Sequence, residues 1–306
     1  MNEWGGGRVG RKAIRETLAM VGEIAGTIVG RWYVTAYGLV FVVLALRHIG
    51  FKRTVIYSAV AVAIGALAEN GSVHLGFPFT RYTYNSDLRG QELWVGDVPL
   101  MVPLSYTFMA YFAFAAARLI VAGPYRSRSR QPILEYVLAV VLATWATWIM
   151  DPVSRLGRYF ALGELFHYGG PGFWFGLPLC AQMGFLCISG ILIGLLTWMA
   201  RNERAAAVPG LRSHPHSPAL VVYLLQVGVM AGAAIFVART TDDAAIAAIA
   251  DPVAGSLFII GVPMVLMTAV YWRSLPRAVN DRPSRESNED IPSQLTGPGS
   301  ATDTPT

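Results

Sequence analysis

Seven long apolar segments, separated by shorter polar stretches, dominate the pattern of hydrophobic and polar positions along the chain. Each segment is long enough to cross, or nearly cross, a lipid bilayer as a helix. A backbone at membrane depth has no water to bond, so it must satisfy its amides within its own helix. The pattern therefore predicts an all-α, polytopic transmembrane helix bundle with spans at residues 32–47, 53–69, 98–118, 132–150, 174–200, 218–238 and 252–272.

The two ends of the chain depart from this pattern. Residues 13–30 are interrupted by Glu16 and Glu23, and we interpret them as an interfacial helix or as an eighth span. The last residues are rich in Pro, Ser, Thr and Asp, which predicts a disordered tail. The sequence thus divides into a basic N-terminal segment, a transmembrane catalytic domain and a tail, at 1–31, 32–275 and 276–306.

Composition and charge support a membrane protein and give it an orientation. Charged residues make up 14% of the chain, well below the roughly 25% of a soluble domain. Arginines recur in alternate connections between spans, which the positive-inside rule assigns to the cytoplasm. The connections at 70–97 and 151–173 would then face outward together. The basic residues form no patch interleaved with aromatic rings, so we do not expect nucleic-acid binding.

The outward loop after the second span carries the densest set of chemically active side chains. Glycine and proline residues punctuate it, so we expect an ordered loop that folds back on itself rather than one continuous helix. Long loops joined to rigid elements commonly carry function. The candidate side chains in this region are Glu69, His74, Arg81, Tyr82, Tyr84, Asp87 and Asp97.

Three carboxylates are predicted to lie at one membrane face, because Glu69 ends the second span, Asp151 ends the fourth and Asp251 begins the seventh. A carboxylate beside hydrocarbon is costly to ionise, so it can stay protonated near neutral pH and act as an acid. Each residue taken alone is better explained as a helix terminator, and Asp-Pro is an ordinary helix boundary. Their convergence on one face favours a site.

The second outward loop repeats the composition of the first. Beyond Asp151 it holds His167 and an aromatic cluster that includes Trp174. Aromatic faces stabilise a carbocation, although a tryptophan near the end of a span is more often an interface anchor. His74 and His167 could share a proton or bind a metal, but two histidines without close spacing are typical of ordinary loops. We therefore predict no metal and no cofactor.

Two motifs give the chain a family resemblance. One is Glu69-x-Gly71-x4-Gly76-Phe77-Pro78-Phe79-x-Arg81-Tyr82-x-Tyr84, followed by Val98-Pro99 and Pro103. The other is Asp151-Pro152, then Gly170 and Phe175-Gly176-Leu177-Pro178-Leu179. Over roughly residues 55–195 the chain resembles the carotenoid biosynthesis protein family. Its best-known members, which include the bisanhydrobacterioruberin hydratases, are membrane hydratases acting on the ends of acyclic or monocyclic carotenoids.

The chain departs from the pattern of this family at three places. Thr80 stands where a glycine is expected, and Tyr106 stands where a tryptophan is expected. An expected Asn-Phe-x-Gly-Trp run is replaced by the sequence at 181–185, which reads Ala-Gln-Met-Gly-Phe. These changes indicate a divergent member with another isoprenoid substrate.

The resemblance implies acid-catalysed hydration of a terminal C=C bond of a lipophilic isoprenoid or carotenoid. Glu69 or Asp151 would give the proton, with Asp251 as a third candidate, and the other carboxylate or His74 would orient the water. The residues expected to bind the substrate are Arg81, Tyr82, Tyr84, Phe79, His167 and Trp174.

Two alternatives stay open on the sequence. The same acid with water excluded would start a terpene cyclisation, because an internal double bond would capture the cation. A non-catalytic carrier of lipophilic pigments would need no acid. In each case we expect an integral, multi-pass protein of a bacterial or archaeal-type cell membrane. Its expected partners are membrane lipids, the isoprenoid itself and other enzymes of the pathway.

Overall fold

Helices dominate the computed structural model, which describes residues 6–154, 156, 165–169, 172–173 and 177–275. An all-α, polytopic bundle is therefore confirmed. π-helical turns precede α2, at Gly26–Gly30, and join α8 to α9, at Leu257–Gly261. In chain order the helices are α1 (Gly6–Ala25), α2 (Trp32–His48), α3 (Phe51–Leu75), α4 (Met101–Ala122), α5 (Pro132–Ser154), α6 (Leu179–Met199), α7 (Ser217–Thr240), α8 (Ala244–Ser256) and α9 (Val262–Ser274).

Short strands form in the two loops that the sequence predicts to share one face. In the first loop, β2 (Trp94–Val95) and β3 (Val98–Pro99) pair as a small hairpin. The first loop also contains strand β1 (Tyr82–Tyr84), which pairs antiparallel with β4 (Phe166–Tyr168) of the second loop. The two loops are thus joined into one ribbon at the same end of the bundle, and the first loop is ordered as predicted.

The number of candidate spans among the described residues meets the sequence prediction of seven or eight at its lower end. Six of the described helices are long and apolar enough to cross a membrane, with α8 and α9 counted as one. α2 has 17 residues and qualifies only together with the preceding helix, from which it is bent by 78°. The described residues therefore supply six spans, or seven if that bent pair is one, and they supply no eighth.

Three predicted helix boundaries are wrong, and each one involves a candidate carboxylate. α3 continues six residues beyond Glu69, to Leu75, and Gly76 caps it with a φ of +75°. α5 continues to Ser154, three residues beyond Asp151. Asp251 lies inside α8 rather than at the start of a span, because the helix begins after Asp243, whose side chain accepts hydrogen bonds from the first-turn amides.

α4 is the central helix of the bundle and packs against α2, α3, α5, α6 and α7. Transmembrane helices associate through close packing of small side chains, since lipid is as apolar as the helices themselves. α4 meets this condition with a set of buried alanines at Ala110, Ala113, Ala115, Ala116 and Ala117. The helices around it can therefore approach closely enough to enclose a shared interior.

A buried charged cluster holds the end of the bundle opposite the strands. Arg118 on α4 lies 3.5 Å from Glu135 and 2.5 Å from Glu203, and His48 at the end of α2 lies 3.4 Å from the same oxygen of Glu203. Burial alone would raise the pKa of Glu203, but the hydrogen bond and charge of His48, with Arg118, lower it below its ordinary value. Glu203 therefore stays ionised and links α2 to α4.

The first loop is anchored to the turn between α1 and α2. Arg31 binds Glu92 in a buried, two-bonded ion pair, with Nε–Oε2 3.2 Å and Nη2–Oε1 3.0 Å. The hydroxyl of Thr27 accepts a 2.7 Å hydrogen bond from the amide of Leu93. A Cβ on Gly26 would lie 1.8 Å from the carbonyl oxygen of Gln91, so only glycine permits this close approach.

We expect Thr80→Gly to stabilise the protein. Thr80 has a φ of +89°, a conformation that suits glycine and strains a β-branched residue. Relief of that strain should raise the free energy of unfolding by about 1 kcal/mol. Thermal unfolding in detergent measures the change. Thr83→Gly, in strand β1, is the matched control and should lower stability instead. A melting temperature of Thr80→Gly at or below that of the parent protein contradicts the prediction.

Candidate active site

A largely apolar cavity lies between α2, α3, α4, α5, α6 and α7, at the end of the bundle where β1 pairs with β4. Its walls include Val34, Met109 and Leu192, and two of the predicted acids, Glu69 and Asp151, also line it. A cavity that is mostly apolar with a few convergent polar groups is the usual form of a small-molecule site. This cavity is the candidate active site.

Three tyrosine hydroxyls surround the carboxyl group of Glu69, which is only 3% exposed. Tyr82 and Tyr84 both donate to Oε2, Tyr84 over 2.8 Å. Tyr106 donates to Oε1 over 2.5 Å. Desolvation, then the charge of Glu69, raises the pKa of Tyr84 well above its ordinary value, so that phenol keeps its proton and serves as a donor.

The β1–β4 ribbon presents four aromatic rings to the cavity because side chains alternate along a strand. Tyr82 is opposite Tyr168, and Tyr84 is opposite Phe166. All four rings line the cavity, and neighbouring ring centroids lie 5.3–6.2 Å apart. Aromatic faces at this density attract a cation. The ribbon therefore places π faces beside the carboxyl group of Glu69.

Asp151 lines the same cavity from the last turns of α5, in a different environment. Its Oδ2 atom is buried, and among the described residues no group donates a hydrogen bond to it. Glu69 thus has its oxygens satisfied by phenols, whereas Asp151 has an oxygen with no donor. The two carboxyl groups share one cavity but differ in how each can hold a charge.

Two of the predicted catalytic residues lie outside the cavity. His74, on the last turn of α3, is 57% exposed, and its Nε2 lies 3.1 Å from Oδ2 of Asp97. Asp251 is exposed on α8 and is not among the described residues that line the cavity. His74 is five residues, or about 140° of helix rotation, from Glu69, and so cannot share its face.

The predicted substrate-binding residues divide in the same way. Tyr82 and Tyr84 line the cavity, but His167 is exposed on the other face of the ribbon. Arg81 is exposed and donates a 2.7 Å hydrogen bond to the carbonyl of His74, so it locks the loop onto the end of α3. Trp174 lies outside the described residues.

Phe79 is buried, but as part of the packing that positions the loop rather than in the cavity wall. Its ring stacks on Phe185 of α6 at 4.4 Å between centroids. Its amide donates a 2.9 Å hydrogen bond to the hydroxyl of Ser72 on α3. Phe185 itself lines the cavity. Phe79 therefore supports a cavity residue from behind.

Sequence reasoning missed Tyr106 as a site residue and noted it only as a departure from the family pattern. It faces Glu69 because α3 and α4 pack closely one turn earlier, where a Cβ on Gly65 would lie 3.0 Å from the ring of Tyr106. Gly65 and Glu69 are four residues apart and so share one helix face. A small residue one turn before a buried acid was the available signal.

The buried pair of Arg31 and Glu92 was also missed, and it lines the cavity together with Tyr33. Two isolated charges beside apolar segments were the only sequence signal. Within the described part of the chain, no group of three or more His, Cys, Asp or Glu side chains could hold a metal ion.

The fold and the cavity define a multi-pass membrane protein with two carboxyl groups in an apolar, aromatic-lined interior. The family model for the carotenoid biosynthesis protein matches residues 29–252, which is more than half of the chain. The chain therefore belongs to the carotenoid biosynthesis protein family, and this membership indicates a role in carotenoid biosynthesis. No curated protein and no solved structure matches it.

We expect Gly184→Ala to disturb the packing behind the cavity. A Cβ at this position of α6 would lie 2.6 Å from both the ring of Phe79 and the carbonyl oxygen of Pro78, so the loop would have to move. The free energy of unfolding should fall by about 1–3 kcal/mol, as measured by thermal unfolding in detergent.

Gly228→Ala is the matched control for this packing prediction. Gly228 lies inside α7, and a Cβ there would meet no atom within 4 Å. Alanine should stabilise this helix slightly, because it has the higher helix propensity. If both variants melt alike, the tight fit of Phe79 against α6 is refuted.

Proposed function

We propose that this protein hydrates a terminal C=C bond of a lipophilic isoprenoid chain during carotenoid biosynthesis. The observation that supports the proposal most directly is the pair of carboxyl groups, Glu69 and Asp151, in an apolar cavity beneath four aromatic rings. A membrane-embedded apolar cavity suits a substrate that is dissolved in the lipid. The carboxyl groups suit acid–base chemistry on an alkene.

The reaction consists of three steps. A carboxyl group transfers its proton to the less substituted carbon of the terminal double bond, and the π electrons form the new C–H bond. The other carbon becomes a tertiary cation, which the aromatic rings of the β1–β4 ribbon stabilise. Water then attacks the cation, and its surplus proton passes to a carboxylate. The product is a tertiary alcohol, and the carboxyl pair regains its original protons.

The polar groups of the cavity favour capture of the cation by water. Ser105, Ser154, Ser189 and Gln226 line the cavity together with the two carboxyl groups. Hydroxyl and amide groups can hold a water molecule near a reacting carbon, provided that it has two or more polar partners. Their presence supports hydration over cyclisation, which requires water to be kept from the cation.

The test is expression in a host that accumulates lycopene, followed by mass spectrometry of the extracted pigments. We expect the mass to increase by one or two waters, and the added oxygen to come from isotopically labelled water. Glu69→Gln and Asp151→Asn should each lower hydrated pigment by about 100-fold or more, because each removes an acid–base group.

Asp251→Asn and His74→Gln are the matched controls, since both change a polar group outside the cavity. They should leave the yield of hydrated pigment within about twofold of the parent protein. A product with the same mass as lycopene would indicate cyclisation instead of hydration. Bound but unaltered pigment, whether or not the acids are replaced, would identify a carrier instead.

A further inference from the structure

The hydrogen bonds around Glu69 suit an ionised carboxylate. A carboxylate has about four acceptor sites and no donor, and three of these sites are filled by the hydroxyls of Tyr82, Tyr84 and Tyr106. A protonated Glu69 would carry its proton at the remaining site, on Oε1, and its neutral oxygens would then accept the three phenol hydrogen bonds more weakly. Hydrogen bonds to an ionised acceptor are roughly twice as strong as those to a neutral one. The arrangement stabilises Glu69 as the anion.

The surroundings of Asp151 suit the protonated form. Its Oδ2 atom is buried and receives no hydrogen bond from the described residues. An ionised carboxylate that has a buried oxygen without a donor, in an apolar interior, is more costly than the neutral acid. A second negative charge in the cavity of Glu69 would add repulsion. When the pair holds one proton, that proton therefore resides on Asp151.

From this difference we propose that Asp151 is the proton donor to the alkene and that Glu69 is the carboxylate that faces the cation and accepts the proton of the attacking water. The assignment rests on the proposed hydration. In this scheme the hydroxyls of Tyr82, Tyr84 and Tyr106 act through Glu69, while the rings of Tyr82 and Tyr84 also face the cation. The cavity thus divides acid and base between two carboxyl groups by their hydrogen bonds.

The steps balance with these roles. The O–H bond of Asp151 breaks as the C–H bond forms, which leaves an Asp151 carboxylate and a tertiary cation. Water adds to the cation, and its proton goes to Glu69. Transfer of that proton from Glu69 to Asp151, directly or through water, restores the starting state. If no water is captured, the same carbon can return a proton to Asp151 and regenerate the alkene.

This reversal supplies a test that does not depend on the hydrated product. Purified protein is incubated with lycopene in deuterium oxide, and the recovered lycopene is analysed for deuterium at its terminal double bonds. Glu69→Gln should lose hydrated pigment yet still label the recovered lycopene, since Asp151 can add a deuteron and remove a proton. Asp151→Asn should lose both the product and the label.

Deuterium in the lycopene recovered from Asp151→Asn would overturn the assignment of roles, and so would its absence with Glu69→Gln. In either case hydration by the parent protein would leave the proposed function intact. A parent protein that neither hydrates nor labels lycopene would overturn both proposals. Thermal unfolding checks that each variant folds. Two further variants test the roles if one of the first two does not fold. Asp151→Glu should still introduce deuterium into lycopene, and Tyr106→Phe should slow hydration while deuterium is still introduced. Loss of label in either one would also refute the roles.

Discussion

Burial of the Glu69 carboxyl group within a membrane helix is the constraint on which the cavity end of this structure depends. A carboxyl group at that depth needs donors, and the three phenols that it receives come from elsewhere in the chain. Tyr82 and Tyr84 arrive on strand β1 and Tyr106 on α4. These hydrogen bonds hold strand β1 over the cavity, and pairing of β1 with β4 joins the second loop to it.

The sequence predicts the helices and the shared face of the two loops, because the length of an apolar segment and the charge of a loop depend only on consecutive residues. The sequence predicts which residues enter the site only where the helix or strand that carries them, and so the direction of each side chain, is known. His167 has the right chemistry but falls between Phe166 and Tyr168, and alternation along the strand turns it outward. Asp251 fails for another reason. Asp-Pro normally marks a helix start, whereas a proline inside a transmembrane helix is tolerated, and α8 had already begun at Ala244.

The two single-residue departures from the family pattern have different consequences: Thr80 affects stability, and Tyr106 affects the chemistry of the site. Thr80 occupies a backbone conformation that explains why a glycine is expected there, so its cost is local strain. Tyr106 stands in place of a tryptophan and supplies the donor to Oε1 of Glu69. Tryptophan and tyrosine both carry a hydrogen-bond donor at the edge of an aromatic ring, N–H in tryptophan and O–H in tyrosine. The tyrosine side chain is shorter, and its hydroxyl can also accept a hydrogen bond. We therefore expect tyrosine at this position to change the cavity shape beside Glu69 while keeping a donor.

Two carboxyl groups in one cavity would be redundant if their surroundings were alike, and the structure makes them differ. The phenols around Glu69 come from elements that meet only in the folded state, whereas Asp151 extends from the end of α5 with an oxygen left undonated. The proposed difference in protonation thus has its basis in tertiary packing and not in the residue types, since both are ordinary carboxylic acids. This is why sequence alone could nominate the pair but could not divide the roles between its members.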